Sequence, residues 1–115
     1  MHKNCRMYRV AAEIKKVLSE YLLCSPFGQE KINSVFLSIT EVTVSPGLQH
    51  AKVYVTPLSK DVNKEECLEF FKKYCHLLRR RLGREIRLKF VPDISFYIDD
   101  SYEQRNQIEM LLRRL

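Results

Sequence analysis

Two stretches of alternating apolar residues, separated by a short proline-glycine break, limit most sharply what this chain can become. Val35 to Val44 is rich in β-branched residues, and Ala51, Val53 and Val55 alternate with Lys52, Tyr54 and Thr56. A period of two is the pattern of a strand with one buried face and one wet face. Between the two stretches, Ser45-Pro46-Gly47-Leu48 places proline and glycine at the second and third positions of a type II turn, which requires a positive φ at Gly47. The strands are therefore expected to pair as an antiparallel hairpin. The apolar phase changes between Ile39 and Val42, and a β-bulge accounts for that change.

The segments on either side have a different period. From Met7 the apolar positions are Met7, Val10, Ala11, Ile14, Val17, Leu18, Tyr21 and Leu22, with Lys15, Lys16, Ser19 and Glu20 opposite them. That is the i, i+3, i+4, i+7 spacing of a helix packed along one side. The helix is expected to end near Cys24, because Pro26 lacks a backbone donor and disfavours helical geometry at Ser25; a loop then runs to about Asn33. After the hairpin, Asn63 is placed to cap a helix whose first turn holds Glu65 and Glu66 at the positive end of its dipole. Leu68, Phe71, Cys75, Leu78 and Leu82 share one face and Lys72, His76, Arg80 and Arg84 another, with Gly83 expected to end or bend the helix. Past Pro92, Ile94, Phe96 and Ile98 alternate with Ser95 and Tyr97 as a third strand. Asp99-Asp100-Ser101 opens a last helix, with Ser101 and Gln104 at capping-box spacing and Ile108, Leu111, Leu112 and Leu115 on one face. The order reads α-β-β-α-α-β-α, an α+β chain expected to form a single domain over residues 1–115.

Composition narrows the class. With 45% apolar and 30% charged residues, three glycines and four prolines, the chain is that of a folded domain rather than a disordered tail. No apolar run approaches the roughly 20 residues that span a bilayer, which leads to the expectation of a cytoplasmic protein without membrane contact. Cys5, Cys24, Cys67 and Cys75 form no CxxC pair and have no histidines at zinc-finger spacing, so reduced thiols and no metal site are expected.

Charge is concentrated in one place. Between Lys72 and Lys89 lie Lys72, Lys73, Arg79, Arg80, Arg81, Arg84, Arg87 and Lys89 against the single acid Glu85, while the rest of the chain holds 12 basic and 13 acidic residues. Diffuse positive charge bears on solubility, whereas a concentrated stripe makes a field that attracts a polyanion, and a phosphate backbone fits that description. The bland alternative is a solvated helix face. Binding is favoured because Glu85 offers almost no local ion pairing and because guanidinium groups hold phosphates bidentately or stack on bases. The RNA-binding candidates are Lys72, Lys73, His76, Arg79, Arg80, Arg84, Arg87 and Lys89. Arg6 and Arg9 are secondary candidates for an adjoining phosphate, with plain solvation their equal alternative. Tyr74 lies between the two faces and is expected to be partly buried.

Catalytic readings are weaker. Cys75 and His76 are adjacent on a helix, about 100° apart, and cannot readily hydrogen-bond side chain to side chain. Asp99 and Asp100 precede a helix, where N-terminal capping explains them. Gly28, Gly47 and Gly83 are too scattered to cradle a nucleotide. No catalytic residue, cofactor or small-molecule substrate is expected.

An α-β-β-α-α-β order with a basic second helical region resembles type II KH domains, and short blocks of sequence narrow the match. Arg9-Val10-Ala11, Glu13-Ile14, Thr40-Glu41-Val42, Ser45, Ala51-Lys52-Val53-Tyr54-Val55, Leu82-Gly83, Leu88, Val91-Pro92, Ile94, Phe96 and Asp99-Asp100-Ser101 occur in order over residues 6–115. In these blocks the chain resembles the bacterial ribosome-binding factor A family, small-subunit assembly factors associated with cold shock. The resemblance implies a type II KH-like domain with a three-stranded mixed sheet packed by helices and an additional C-terminal helix. It further implies a non-catalytic, monomeric cytoplasmic protein that binds the free, immature 30S subunit, contacts 16S rRNA and assists late maturation, including rRNA processing. The family typically bends its paired helices at Ala-x-Gly, whereas Tyr74-Cys75-His76 stands here. Tyrosine and histidine remove the freedom of positive φ, so either the helix is straighter or the bend is made by other means. A basic adaptor docking an acidic protein partner, without direct rRNA recognition, is the rival reading.

Overall fold

The computed structural model describes residues 5–24 and 37–100. Helix α1 spans Cys5–Cys24, followed by strands β1 (Leu37–Val44) and β2 (His50–Pro57), helices α2 (Lys64–Lys73) and α3 (Cys75–Glu85), and strand β3 (Asp93–Ile98). The expected loop after Cys24, the first two residues of the expected first strand and the expected last helix lie outside the described residues.

The hairpin forms as the alternation requires. β1 pairs antiparallel with β2, from Leu37 opposite Pro57 to Val44 opposite Ala51, and the register shifts between Ile39 and Glu41. Thr40 is the extra residue, and its insertion lets both Ile39 and Val42 face the core although they are three positions apart. Its hydroxyl donates to the Asp99 carboxylate, tying the bulge to the chain just beyond β3.

The turn departs from expectation. The Leu48 N–H donates to the Ser45 carbonyl at 2.9 Å, so a β-turn is present, but Gly47 does not have a positive φ, which excludes type II. The left-handed residue is Leu48, at φ 59°. The reason is loop length: the Ser45 N–H donates to the His50 carbonyl, and a connection of that span completes its reversal after the tight turn rather than within it.

β3 runs parallel to β2, with His50 opposite Asp93 and Val55 opposite Ile98, so the sheet order is β1-β2-β3 and the sheet is mixed. A parallel pair needs a long crossover, which α2 and α3 supply. Asn63 starts that crossover with a reciprocal cap: its side chain accepts from the Glu66 N–H at 2.7 Å and its own N–H donates to the Glu66 carboxylate at 3.4 Å.

The two helices are interrupted at Tyr74, not at Gly83. Tyr74 has φ −98° and ψ 12°, a bridge-region conformation that any L residue reaches, so no glycine is needed for the break. Its N–H still donates to the Phe70 carbonyl, while its own carbonyl accepts from Leu77 and Leu78 and begins the next helix. The interruption also shifts the buried stripe: α2 buries Cys67, Phe70 and Phe71, with Leu68 only partly covered, and α3 buries Leu78 and Leu82. Gly83 lies inside α3, which leaves through Ile86 in an extended conformation. A Cβ on Gly83 would stand 3.2 Å from the Val91 side chain, so this glycine permits close packing of α3 against the segment before β3.

The core lies between one face of the sheet and the three helices. Ile14 and Leu18 of α1, Val53 and Val55 of β2, and Phe71 and Leu78 of the crossover are fully buried. The Phe71 ring sits 5.1 Å from that of Phe96 and meets Phe70 edge-on at 5.7 Å.

Candidate nucleic-acid interface

Packing of Phe71, Leu78 and Leu82 inward turns the opposite side of the crossover to solvent. Lys72 and Lys73 close α2, His76, Arg80 and Arg84 follow at four-residue spacing along α3, and Arg87 and Lys89 continue beyond its end; all seven are exposed. Lys72 and Lys73 lie at the negative end of the α2 dipole, which favours cations there.

Neighbouring cations have different employment. Arg81 pairs with Glu85 at 3.4 Å and lies 5.2 Å from the Tyr21 ring, so the one acid of the stretch is taken. Arg79 turns toward the sheet: its guanidinium donates to the carbonyls of Val91 and Pro92, each at 3.3 Å, and pairs with Asp93 at 3.4 Å. Among the sequence-derived candidates, Arg79 is therefore built into the fold. Lys72, His76, Arg80, Arg84 and Arg87 have no hydrogen-bond or ion-pair partner among the described residues.

Tyr74 is half-buried, with its ring 4.8 Å from Phe70, and Lys73 lies 5.5 Å from it. Phe90 is an aromatic that sequence reasoning passed over. It is 70% exposed, with Lys89 5.7 Å from its ring, directly after the cationic stretch. Its signal was its place outside the alternating run that starts beyond Pro92.

Arg6 and Arg9 are brought toward the stripe rather than scattered. They line a surface groove of about 390 Å³ together with Glu13, Val10, Arg87 and Leu88, where the start of α1 lies against the chain leaving α3.

The groups that suggested catalysis are otherwise occupied. Burial pushes the Cys75 thiol above its usual range, with Arg79 pulling it partly back, and His76 projects into solvent. Burial pushes Cys67 up to about 12. A thiol held protonated is a poor nucleophile. Asp100 accepts from Lys64 at 2.6 Å, and Asp99 is engaged by Thr40. No described helix is long and apolar enough to cross a membrane.

The sequence model for ribosome-binding factor A matches residues 6–112. The chain belongs to the ribosome-binding factor A family. A family member from Caldicellulosiruptor bescii is 39% identical over 114 residues, covering 96% of this chain and 83% of that protein. The crystal structure of ribosome-binding factor A from Thermus thermophilus superposes with a TM-score of 0.68 at 21% identity, over 80% of this chain and 93% of the other. A homology model of the Thermus thermophilus factor, fitted into an electron cryomicroscopy map of its complex with the 30S subunit, matches with a TM-score of 0.60 at 20% identity, covering 78% and 91% of the two chains. Ribosome-binding factor A chains thus share this fold, and the cationic crossover described here lies within the region matched by the family's sequence model.

Proposed function

We propose that this protein is a cytoplasmic, non-catalytic ribosome-binding factor that associates as a monomer with the free 30S subunit and contacts 16S rRNA during late maturation, including rRNA processing. In this reading the domain is of type II KH-like form, and it acts by occupancy. The observation that carries the reading is the exposed row of Lys72, His76, Arg80 and Arg84, without partners among the described residues, along one side of α2 and α3. That row stands on the scaffold of a family whose Thermus thermophilus member is described in complex with the 30S subunit. Lys72, Lys73, His76, Arg80, Arg84, Arg87 and Lys89 supply affinity for the phosphate backbone, and Arg79 holds the row against the segment that leads into β3. Cations alone do not select one RNA, so placement comes from the folded subunit. The bound domain holds an immature rRNA conformation and leaves when the mature one competes for the same contacts.

Sedimentation of the purified protein with free small subunits, large subunits and joined ribosomes tests this, with wild type compared with Arg80→Ala/Arg84→Ala. The expected result is association with free small subunits only, weakened in the folded double variant. With six phosphate contacts, wild-type affinity should fall about 10³-fold between roughly 50 and 200 mM salt. Binding that ignores both salt and the substitutions would move the contact off this face. Capture by an acidic protein in place of the subunit would establish the adaptor reading.

A further inference from the structure

The groove at the start of α1 has a composition that the stripe alone does not explain. Arg6 and Arg9 line it from one helix and Arg87 from the exit of another, so three arginines from separate parts of the chain border one space of about 390 Å³. None of the three has an ion-pair or hydrogen-bond partner among the described residues, and neither does Glu13, the one carboxylate on the wall. Val10 and Ile86, both buried, form its base with Leu88. Three unpaired cations around one space repel one another, and an anion relieves that repulsion. The volume falls within the roughly 300–1,000 Å³ of small-molecule sites, and apolar walls with a few convergent polar groups are the usual make-up of such sites. Glu13 is what separates a nucleotide from a bare anion. A carboxylate opposes a phosphate, yet it accepts hydrogen bonds from a ribose hydroxyl or the donor edge of a base.

We propose that this groove seats one unstacked ribonucleotide of the bound RNA, with its phosphate on Arg6, Arg9 and Arg87, its apolar surface on Val10 and Leu88, and a ribose or base donor on Glu13. The proposal rests on the RNA-binding reading above and adds a point contact to it. The stripe tracks a backbone, whereas the groove takes a single nucleotide turned out of its stack. Unpaired nucleotides are the elements of RNA that proteins read by such pockets.

Cys5 lines the groove, while Cys24, also exposed, lies at the far end of α1, which provides a reporter and an internal control in the same full-length chain. Alkylation of both thiols by iodoacetamide is followed by mass spectrometry with a single-stranded RNA hexamer or inorganic phosphate as the probe. With the hexamer at ten times its Kd, alkylation of Cys5 should slow about tenfold, the free fraction left by mass action, while Cys24 is unaffected. Arg9→Ala/Arg87→Ala should abolish that protection. Glu13→Ala should weaken protection by the hexamer and strengthen protection by phosphate, two opposite changes that a merely structural role would not produce. Hexamer binding with Cys5 unprotected would overturn the groove and leave the stripe standing. Equal protection by phosphate and by hexamer would reduce the groove to a simple anion site and overturn the nucleotide. Failure of the hexamer to bind at all would overturn this proposal together with the reading on which it rests.

Discussion

Charges around the sheet and charges along the crossover helices belong to the same residue types and are used in opposite ways. Near the sheet, Thr40 donates to Asp99, Lys64 pairs with Asp100, and Lys52 lies 5.9 Å from the ring of Tyr97, whose partner across the strands is Tyr54. Along α2 and α3, Lys72, His76, Arg80 and Arg84 stand without such partners among the described residues. Net charge outside residues 72–89 is near zero, because basic and acidic residues there are almost equal in number. The surplus lies where the fold leaves it unused, and an unused surplus is what a polyanion can neutralise.

The largest test of this contrast asks whether the two regions depend on one core. Phe71 sits under the cationic face and touches Phe96 of the sheet, so Phe71→Ala removes a ring fully buried between them. The expected loss is about 3–5 kcal/mol in urea denaturation. Loss of the helical region alone, with the sheet unfolding separately, would show two independent units in place of one.

A second test acts on the charges themselves. Arg80→Ala/Arg84→Ala should lower the slope of log affinity against log salt by about 2 and cost roughly 1–3 kcal/mol of binding, with the denaturation midpoint almost unchanged. Lys52→Ala on the sheet should leave the slope as it is. Equal effects from the two variants would erase the difference between the regions and indicate a response to net charge only.

Much of this architecture was legible in the residues because its causes are local. The apolar spacing of Val10, Ile14, Leu18 and Leu22 needs nothing beyond one helix, the alternation around Val53 needs one strand, and Asn63 with Glu66 needs one turn. Even the bulge left a trace in the phase between Ile39 and Val42. What was misread depends on distant partners. Gly83 resembles a helix stop, yet its missing side chain makes room for Val91. The break at Tyr74 falls where the sequence leaves open both a straighter helix and a bend made by other means, and its backbone conformation leaves no compositional mark to decide between the two. Gly47 similarly suggested the left-handed position that Leu48 takes. The meeting of Arg6 and Arg9 with Arg87, some 80 positions later, could not be read from either segment alone.

Arg79 and Arg80 sharpen the comparison within one turn of helix. Arg79 donates to two carbonyls and pairs with Asp93, whereas Arg80 faces solvent. Arg79→Ala should cost about 1 kcal/mol of stability, a modest figure because the contacts are long and half-exposed. Arg80→Ala should cost almost no stability and weaken salt-dependent binding instead. Measured together by thermal melting and RNA titration, the two neighbours should show crossed effects. The same loss of stability in both would place Arg80 within the fold after all.

The smallest effect concerns Gly83, where two terms of similar size oppose each other. Alanine in the interior of α3 gains about 0.8–1 kcal/mol in helix propensity over glycine. Its Cβ would also stand 3.2 Å from the Val91 side chain, closer than ordinary contact allows. Val91 lies in the irregular segment between α3 and β3 and is only partly buried, so it has room to give by a few tenths of an ångström. Gly83→Ala is therefore expected to stabilise the protein by less than about 1 kcal/mol, a rise of a few degrees in Tm for a domain of this size. A fall in Tm would mean that the Arg79 clamp on the Val91 carbonyl keeps the segment from yielding. In that case Gly83→Ala/Arg79→Ala should lose less stability than the two single changes added together, since Arg79→Ala would already have released the segment that Gly83→Ala strains.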